Sequence, residues 1–246
     1  MKERFGGIER LYGKEKFQRL QNAHVAIIGL GGVGCWSAEM LARAGVGKLT
    51  LIDADELCVT NINRQIHALD STVGKSKVLT MAERIKDINP ECEVIVHESF
   101  FMDSTADELL APDYDVVLDA IDSVKHKVQL FMQCRQRKIT LVTAGGAGGK
   151  TDPSRIQVAD LNKTIRDPLL RKVRKELRKD PTLKIRKKFK VQAVFSNQEI
   201  MAPILDESEH SESRKLDCNT GYGTSPIIIS HFGIRAADVV ISELLK

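Results

Sequence analysis

The stretch TNINRQIHAL, residues 60–69, concentrates polar groups that can hold and neutralise phosphates. Its amide and guanidinium groups, and the two lysines that follow it, are Asn61, Asn63, Arg64, Gln65, Lys75 and Lys77. Positive side chains stabilise a triphosphate and the negative charge that develops when pyrophosphate leaves, whereas hydride transfer from a nicotinamide needs no such groups. The segment therefore favours phosphate chemistry over redox chemistry.

A glycine-rich turn, IIGLGGVG, precedes this segment. Gly29, Gly31 and Gly34 match the GxGxxG pattern between a predicted strand and a predicted helix, and Gly32 is an additional glycine. Such a turn lets the backbone approach a phosphate, whose charge the helix N-terminus attracts. Asp53 ends the next predicted strand, where a carboxylate accepts hydrogen bonds from a ribose. We therefore expect a bound nucleotide, the alternative being a merely structural tight turn.

Two further carboxylates, Asp119 and Asp122, stand in the letters LDAIDS at the end of another predicted strand. Ligands bind at the carboxyl ends of strands in doubly wound sheets, so Asp122 can hold magnesium on the phosphates. The alternative is that Asp122 only caps a helix that begins at Ser123.

The elements that must position these groups alternate from residue 24 onward. The pattern predicts strands at HVAIIG, KLTLID, EVIVH, DVVLDAID and ITLVTA, with helices at CWSAEMLARAG, GKSKVLTMAERIKDIN and SVKHKVQLFMQCRQRK. After residue 150 it predicts two antiparallel strands, RIQVAD and VQAVFS, around a basic helix, PLLRKVRKELRK, and a last helix packed on the sheet. We therefore expect an α/β fold: a Rossmann-like, doubly wound, mostly parallel sheet with an antiparallel C-terminal extension.

Composition narrows the setting of the protein. The charged N-terminus lacks a signal-peptide pattern, and charges interrupt the apolar C-terminal tail, so we expect a cytoplasmic protein without a membrane span. The five cysteines form no CxxC pair, so neither a zinc site nor a disulfide framework is expected. They are Cys35, Cys58, Cys92, Cys134 and Cys218.

Positive charge is concentrated in one region of a chain whose net charge is only +4. Residues 163–190 contain 13 Lys or Arg against three acidic residues. Such a run is typical of a surface that binds an anionic macromolecule, although a solvated helix explains it about equally well.

Five features follow one another along the chain: Gly29 to Gly34, Asp53-Ala54-Asp55, Asn61-Ile62-Asn63-Arg64-Gln65, Lys77 and Asp122. In this order and spacing they resemble the ubiquitin-activating-enzyme-like (ThiF) adenylating superfamily. Within it the chain is similar to the tRNA threonylcarbamoyladenosine dehydratase branch over nearly its whole length. The stretches that carry this second resemblance are RFGGIERLYG, CVTNINRQIHAL, INPEC, DAIDSV, LVTAGGAGGK and LDCNTGYGT.

The resemblance implies ATP-dependent cyclisation of threonylcarbamoyladenosine in tRNA, with ATP and Mg²⁺ as cofactors and no zinc. It implies a single adenylating domain, residues 1–246, whose nucleotide-binding half is 1–150. The half 151–246 would bind substrate, form the dimer and contain a crossover loop at about 197–219. Catalytic roles fall on Arg64, Lys77 and Asp122, the last also as metal ligand. The implied nucleotide contacts are Gly29, Gly31, Gly32, Gly34, Asp53, Asp55, Asn61, Asn63, Arg64, Gln65, Lys77 and Asp122.

The implied partners are a tRNA substrate, a second copy of the chain in a homodimer, and sulfur-relay proteins of the cysteine desulfurase type. Related activators place an N-terminal arginine across the dimer, a role for which Arg4 and Arg10 are candidates. Phe195 and Tyr222 can stack on bases, although both are more often core residues. The residues expected to contact tRNA are Arg171, Lys172, Arg174, Lys175, Arg178, Lys179, Arg186, Lys187 and Lys188.

Other reactive side chains have a simpler interpretation. Cys218 invites a nucleophile hypothesis, but isolated cysteines are usually small buried hydrophobes. His67, His126 and His231 form no metal-binding spacing, and Trp36 is expected in the core. The competing functions are activation of a ubiquitin-like sulfur carrier, nicotinamide-dependent oxidoreduction and non-enzymatic nucleotide sensing. The missing zinc cysteines argue against the first, and the phosphate-facing residues argue against the other two.

Overall fold

A seven-stranded sheet forms the centre of the computed structural model, which describes residues 2–183, 188–204 and 222–246. The strands are β1 His24–Ile28, β2 Lys48–Ile52, β3 Glu93–His97, β4 Val116–Asp119, β5 Thr140–Ala144, β6 Ile156–Asp160 and β7 Gln192–Ser196. The helices are α1 Lys2–Tyr12, α2 Lys14–Asn22, α3 Gly32–Arg43, α4 Lys77–Ile88, α5 Ala106–Leu109, α6 Val124–Arg137, α7 Pro168–Leu177 and α8 Pro226–Leu244.

The strand order is β3-β2-β1-β4-β5-β7-β6. Neighbouring strands are parallel except for β6, which pairs antiparallel with β7. The predicted fold class is therefore confirmed, with the refinement that β7 itself runs parallel to β5. The chain winds outward from β1 in one direction through β2 and β3, and in the other through β4 and β5. The direction in which the chain winds across the sheet thus reverses between the parallel strands β1 and β4, and doubly wound folds bind their ligands at such a point.

Alternate residues of each strand fill two separate cores. Val25 and Ile27 of β1 face α3, α4 and α8, whereas Ala26 and Ile28 face the layer that contains α5, α6 and α7. Burying a large aliphatic side chain contributes about 1.5–3 kcal/mol, so both faces must be covered to stabilise so apolar a sheet.

Helix α8 packs on the sheet as predicted, and it also crosses α3 at close range. A Cβ atom added to Gly233 would lie 2.6 Å from the carbonyl oxygen of Val33. Ser37 Oγ donates a hydrogen bond to the Gly233 carbonyl at 2.9 Å. The close crossing fixes the first half of α3, which is the half that follows the glycine turn.

Two N-terminal helices precede the sheet, and the sequence pattern did not indicate them. Helix α1 contains Gly6 and Gly7, which are poor helix formers. The buried side chains of Phe5, Phe17 and Leu20 hold α1 and α2 in place, so tertiary packing decides their conformation.

The predicted crossover loop at 197–219 lies largely outside the described residues. Its described part, residues 197–204, forms no helix or strand. The chain on either side of the undescribed segment meets at one residue: Met201 N donates to Gly149 O at 2.8 Å, and Gly149 N donates to Gly223 O at 2.9 Å. No helix among the described residues is long and apolar enough to cross a membrane.

His67 is the most isolated buried polar side chain of the segment between β2 and α4. It is 2% exposed, and neither ring nitrogen has a hydrogen-bond partner within the described part of the chain. Burial, reinforced by the positive charges of Lys77 and Arg84, lowers the pKa of His67 to about 4. The ring is therefore neutral in the folded protein at physiological pH.

We predict that acid destabilises the fold through this ring. Below pH 6.5 the unfolded chain binds a proton at His67 that the folded chain excludes down to about pH 4, so the free energy of unfolding should fall across this interval, by up to about 3 kcal/mol. Urea unfolding of the wild type and of His67→Leu across the interval measures the effect.

The variant should show a shallower pH dependence but not a flat one, because burial also lowers the pKa of His24. His231→Gln, at an exposed position, is the matched control and should keep the wild-type slope. Identical slopes for the wild type and His67→Leu would contradict the assignment.

Candidate active site

The adjacency of β1 and β4, where the winding direction reverses, places the glycine turn beside the turn that follows β4. Ile28 and Asp119 are partners in the parallel register, and each is the last residue of its strand. Ala120 N donates to Ile28 O at 2.9 Å, which extends the pairing one residue beyond β4. The sequence motifs around Gly31 and Asp122 therefore share the carboxyl edge of the sheet.

The backbone of the glycine turn excludes side chains at two positions. Gly29 has a φ of +92°, and a Cβ there would lie 2.9 Å from the Ala120 carbonyl oxygen. A Cβ on Gly34 would lie 1.8 Å from the Gly29 carbonyl oxygen. These contacts bring α3 and the two strand ends together at van der Waals distance, as the fingerprint requires.

The other two glycines differ from each other in their surroundings. Gly31 is the N-cap of α3, offers no side-chain cap, and would point a Cβ into open space, with nothing within 4 Å. Gly32 instead lies against α8, where a Cβ would fall 2.7 Å from Ile229 Cγ2. The open volume at the N-terminus of α3 is thus beside Gly31.

Asp53 and Asp55 organise the chain after β2. Asp53 is buried and accepts hydrogen bonds from Leu30 N at 2.6 Å and Asp55 N at 2.8 Å, so it ties the glycine turn to the end of β2. Lys77 is buried at the start of α4, and its Nζ lies 2.6 Å from Asp55 Oδ2. Lys77 N also donates to Asp55 O at 3.1 Å.

The polar segment of residues 60–69 folds back onto α3. Trp36 is partly buried, and its Nε1 donates to Arg64 O at 3.1 Å. Its expected position in the core did not include this hydrogen bond. Arg64 donates to Thr60 O and to Asn63 Oδ1, and its side chain lies beside Gly32. The structure therefore brings the guanidinium-bearing side chain next to the glycine turn, as the motif order predicts.

The side-chain amides of this segment differ in burial and in hydrogen bonding. Asn61 is buried, and its Oδ1 accepts a hydrogen bond from Cys58 N at 3.2 Å. Asn63 is exposed and donates from Nδ2 to Thr224 Oγ1 at 3.4 Å. Gln65 is buried with no partner for Oε1 among the described residues. Lys75 is exposed just before α4.

The two carboxylates after β4 have opposite environments. Asp119 is buried and engaged by Lys127 and Thr143, so it is not available to a ligand. Asp122 is exposed and makes no hydrogen bond or ion pair within the described chain. The capping alternative for Asp122 is wrong, because α6 begins at Val124, its N-cap is Ser123, and no side-chain cap is formed.

Metal-binding capacity at this edge rests on single carboxylates. No group of three or more His, Cys, Asp or Glu side chains in the described ranges is arranged to hold a metal ion. A cation here would therefore need ligands from a bound nucleotide in addition to Asp122.

The predicted basic helix is α7, and one carboxylate anchors its N-terminus to the edge just described. Asp167 Oδ1 accepts from Leu170 N at 2.9 Å, and Asp167 Oδ2 accepts from Gly146 N, in the turn after β5, at 3.0 Å. A Cβ on Gly145 would lie 2.0 Å from Asp167 Oδ2, so this approach requires glycine.

The cations of α7 and its surroundings differ in their exposure and in their contacts. Arg174 is partly buried and donates to Thr164 Oγ1, and Arg178 donates to Asn162 and lies over the Phe189 ring. Arg186 and Lys187 lie outside the described residues, as does Cys218. Of the cations expected to contact tRNA, the exposed ones are Arg171, Lys172, Lys175, Arg178, Lys179 and Lys188.

The remaining candidates are distributed as follows. Phe195 is 2% exposed, which confirms the core interpretation, but Tyr222 is 39% exposed, so the core interpretation was wrong for it. Arg4 donates to the carbonyls of Asp87 and Ile88 at the end of α4, whereas Arg10 lies beside Gly6. His126 is half-buried and His231 exposed.

Two buried polar residues near the edge, Lys127 and Thr143, were missed. The burial of Lys127 could have been predicted from its position in the helix. It shares the inward face of α6 with Leu130, Phe131 and Cys134, where a lysine needs a buried partner.

Comparison with known proteins agrees with this geometry. The model of the ThiF family matches residues 7–230. A tRNA threonylcarbamoyladenosine dehydratase of Haemophilus influenzae is 49% identical over 246 residues, covering 99% of this chain and 94% of that protein. Crystal structures of the Escherichia coli tRNA N6-threonylcarbamoyladenosine dehydratase, TcdA, in complex with ATP and with AMP each match with a TM-score of 0.89 and 43% identity, covering 99% of this chain and 94% of theirs. Because the family model spans nearly the whole chain, from the glycine turn to α8, this protein belongs to the ThiF family.

Proposed function

We propose that this protein catalyses the ATP-dependent dehydration of N6-threonylcarbamoyladenosine in tRNA. The observation that carries the proposal is the meeting of the glycine turn, Arg64 and the exposed Asp122 at one edge of the sheet. The names of its relatives, and the ATP and AMP complexes of the Escherichia coli enzyme, support the same activity.

The nucleotide is proposed to bind with its phosphates at the N-terminus of α3. The open volume beside Gly31 leaves room for a phosphate against helix amides that have no side-chain cap. Asp53 accepts two amides, and a carboxylate has about four acceptor positions, so it can still accept a ribose hydroxyl. Gly29 and Gly34 keep the turn close to the sheet, and Gly32 lets α8 approach it.

Positive charge for the polyphosphate is proposed to come from Arg64 and Lys77. Asp55 holds the Lys77 ammonium at a defined position. Asn61, Asn63 and Gln65 complete the set as amide donors, and Gln65 Oε1 has no hydrogen-bond partner among the described residues. Preorganised cations of this kind lower the barrier for departure of pyrophosphate.

Asp122 is the residue proposed to hold a magnesium ion, which would supply positive charge beside the phosphates of the nucleotide. Mg²⁺ commonly uses one or two protein carboxylates together with substrate phosphates and water, which fits the single exposed carboxylate at this edge. For this role the Asp122 carboxylate must face the phosphates of the bound nucleotide.

The reaction is proposed to proceed in two steps. An oxygen of the threonyl carboxylate bonds to the α-phosphorus of ATP and pyrophosphate leaves, giving a mixed anhydride with AMP. The neighbouring carbamoyl group then attacks the activated carbonyl, the bond to AMP breaks, and the ring closes, so that one water is lost overall. Because the nucleophile is tethered within the substrate, proximity lowers the second barrier and no enzyme thiol is needed.

The tRNA is proposed to dock on the exposed face of α7. Arg171, Lys172 and Lys175 have no ion-pair partner within the described chain and remain available for phosphates. Because Asp167 anchors α7 to the turn after β5, this face begins at the same edge of the sheet as the nucleotide site. Tyr222 is exposed and is a candidate for stacking on a base.

The organisation of the protein in the cell stays a prediction. We propose one adenylating domain over residues 1–246, divided near residue 150 into a nucleotide-binding and a substrate-binding half, that works as a cytoplasmic homodimer. Arg10 is free of the α4 contact that holds Arg4 and is therefore the better candidate to reach a second copy. Desulfurase-type sulfur-relay proteins are the further partners proposed.

The activity is tested by mass spectrometry of nucleosides from tRNA that carries threonylcarbamoyladenosine, after incubation with the protein, ATP and magnesium. Loss of one water from that nucleoside, dependent on ATP and accompanied by AMP, is the expected result. An unchanged nucleoside, with ATP–pyrophosphate exchange that depends on a small ubiquitin-like protein, would replace the proposal with sulfur-carrier activation.

Asp122→Ala should lower the rate of AMP formation by at least about 100-fold, because it removes the carboxylate proposed to hold the metal at the reacting phosphate. The thermal unfolding midpoint should stay unchanged, since Asp122 is exposed and unpaired in the described chain. Asp87→Ala, which removes an exposed carboxylate from the last turn of α4, is the control. Full activity of Asp122→Ala would remove Asp122 from the mechanism.

The triple variant Arg171→Ala, Lys172→Ala, Lys175→Ala should bind tRNA more weakly while it binds ATP normally. The slope of log Kd against log salt concentration should decrease by about one for each cation that contacts a phosphate. Filter binding at several salt concentrations measures both quantities.

The matched control is Lys14→Ala, Lys16→Ala, Lys86→Ala, which removes the same charge from α2 and α4. If both triple variants lose the same affinity, only net charge matters and the docking face is wrong.

A further inference from the structure

A buried ion pair lies directly beneath the turn that carries Asp122. Lys127 Nζ is 2.9 Å from Asp119 Oδ2, and the two side chains are 1% and 2% exposed. Thr143 Oγ1 donates to the same carboxylate oxygen at 2.7 Å and lies 3.2 Å from Lys127 Nζ. Asp119 Oδ1, the remaining oxygen, accepts Ile121 N at 3.1 Å. We call Asp119, Lys127 and Thr143 the buried triad.

The buried triad joins three elements at one point. Asp119 ends β4, Lys127 stands in the second turn of α6, and Thr143 belongs to β5. The turn between β4 and α6 consists of only four residues, 120–123, and Asp122 is one of them. Both ends of this turn are thus held by one carboxylate, at Ile121 through a backbone amide and at α6 through Lys127.

Stability alone does not account for such a pair. Removing two charges from water costs several kcal/mol each, and replacing a buried pair by apolar side chains of similar volume is often neutral or stabilising. In a core that contains Leu130, Phe131 and Val117, apolar residues would serve packing equally well. The ion pair and its hydrogen bonds instead fix the orientation of the Asp119 carboxylate. Because this carboxylate also binds the Ile121 amide, they fix the conformation of the turn.

We propose that the buried triad is a positioning device that holds the Asp122 carboxylate in place for the metal and the reacting phosphate. The proposal rests on the proposed function, since it assigns the triad to the chemistry of Asp122. Lys127 and Thr143 are positioning residues, because they act through Asp119 and the turn and do not touch the nucleotide.

The sharpest test compares two substitutions at Thr143. Thr143→Val keeps the shape but removes the hydroxyl that orients Asp119, whereas Thr143→Ser keeps the hydroxyl. Thr143→Val should lower kcat for AMP formation by about 10- to 100-fold with little change in KM for ATP, and Thr143→Ser should restore most of it. A second variant, the neutral pair Asp119→Asn with Lys127→Met, should lower kcat similarly.

A readout without nucleotide keeps the proposal independent of the reaction. Amide hydrogen exchange at Ile121 should accelerate about tenfold in Thr143→Val, while the exchange of amides in β1 stays unchanged. If the wild type lacks the dehydratase activity, the proposed function fails, and the exchange at Ile121 still decides whether the triad positions the turn. If Asp122→Ala retains full activity, Asp122 has no part in the mechanism and the role of the triad in the chemistry is overturned.

Arg84→Met is the matched control. Arg84 pairs with the buried Glu39 at 2.6 Å on the other face of the sheet, away from the turn. This variant should lose stability in urea without losing kcat. Unchanged exchange at Ile121 in Thr143→Val would overturn the proposal, as would a loss of kcat in Arg84→Met equal to that in Thr143→Val.

Discussion

The parallel pairing of β1 with β4 is the constraint on which the candidate site depends. Residues that are far apart in sequence, Gly29 to Gly34 on one side and Ala120 to Asp122 on the other, become neighbours only because these two strands are adjacent. The helices leave the sheet toward opposite faces at this point, so the strand ends open a crevice between them. The glycine turn and the turn that carries Asp122 lie at this crevice.

The proposed tRNA-docking helix and the chain before α8 are each joined to this centre by a hydrogen bond. Asp167 ties the basic helix α7 to the turn after β5, and Thr224 ties the chain before α8 to Asn63. Helix α8 in turn crosses α3 where Gly233 allows close contact. The nucleotide half and the proposed tRNA half therefore share one edge, and residues from both halves contribute to each of the two apolar cores.

The strand pattern, the glycine turn and the placement of Arg64 could be predicted from sequence because each depends on local periodicity or on a motif whose geometry is set by backbone physics. Asp119 and Asp122 could not be told apart, since their difference is burial, which depends on Lys127 and Thr143 from other elements. Helix α1 escaped prediction for the same reason: Gly6 and Gly7 oppose helix formation, and the packing of Phe5 against Phe17 of α2 outweighs them.

The central pairing also joins segments that lie far apart along the chain. Val25 of β1 meets Leu49 of β2, 24 residues later, but meets Val116 of β4 only 91 residues later. Contacts of such different sequence separation form at different stages, because closing the longer loop costs more chain entropy. A nascent chain that has emerged only as far as β3 already contains the glycine fingerprint and Arg64, yet it has no crevice, so the capacity to hold a nucleotide arrives late, when the second half of the sheet docks.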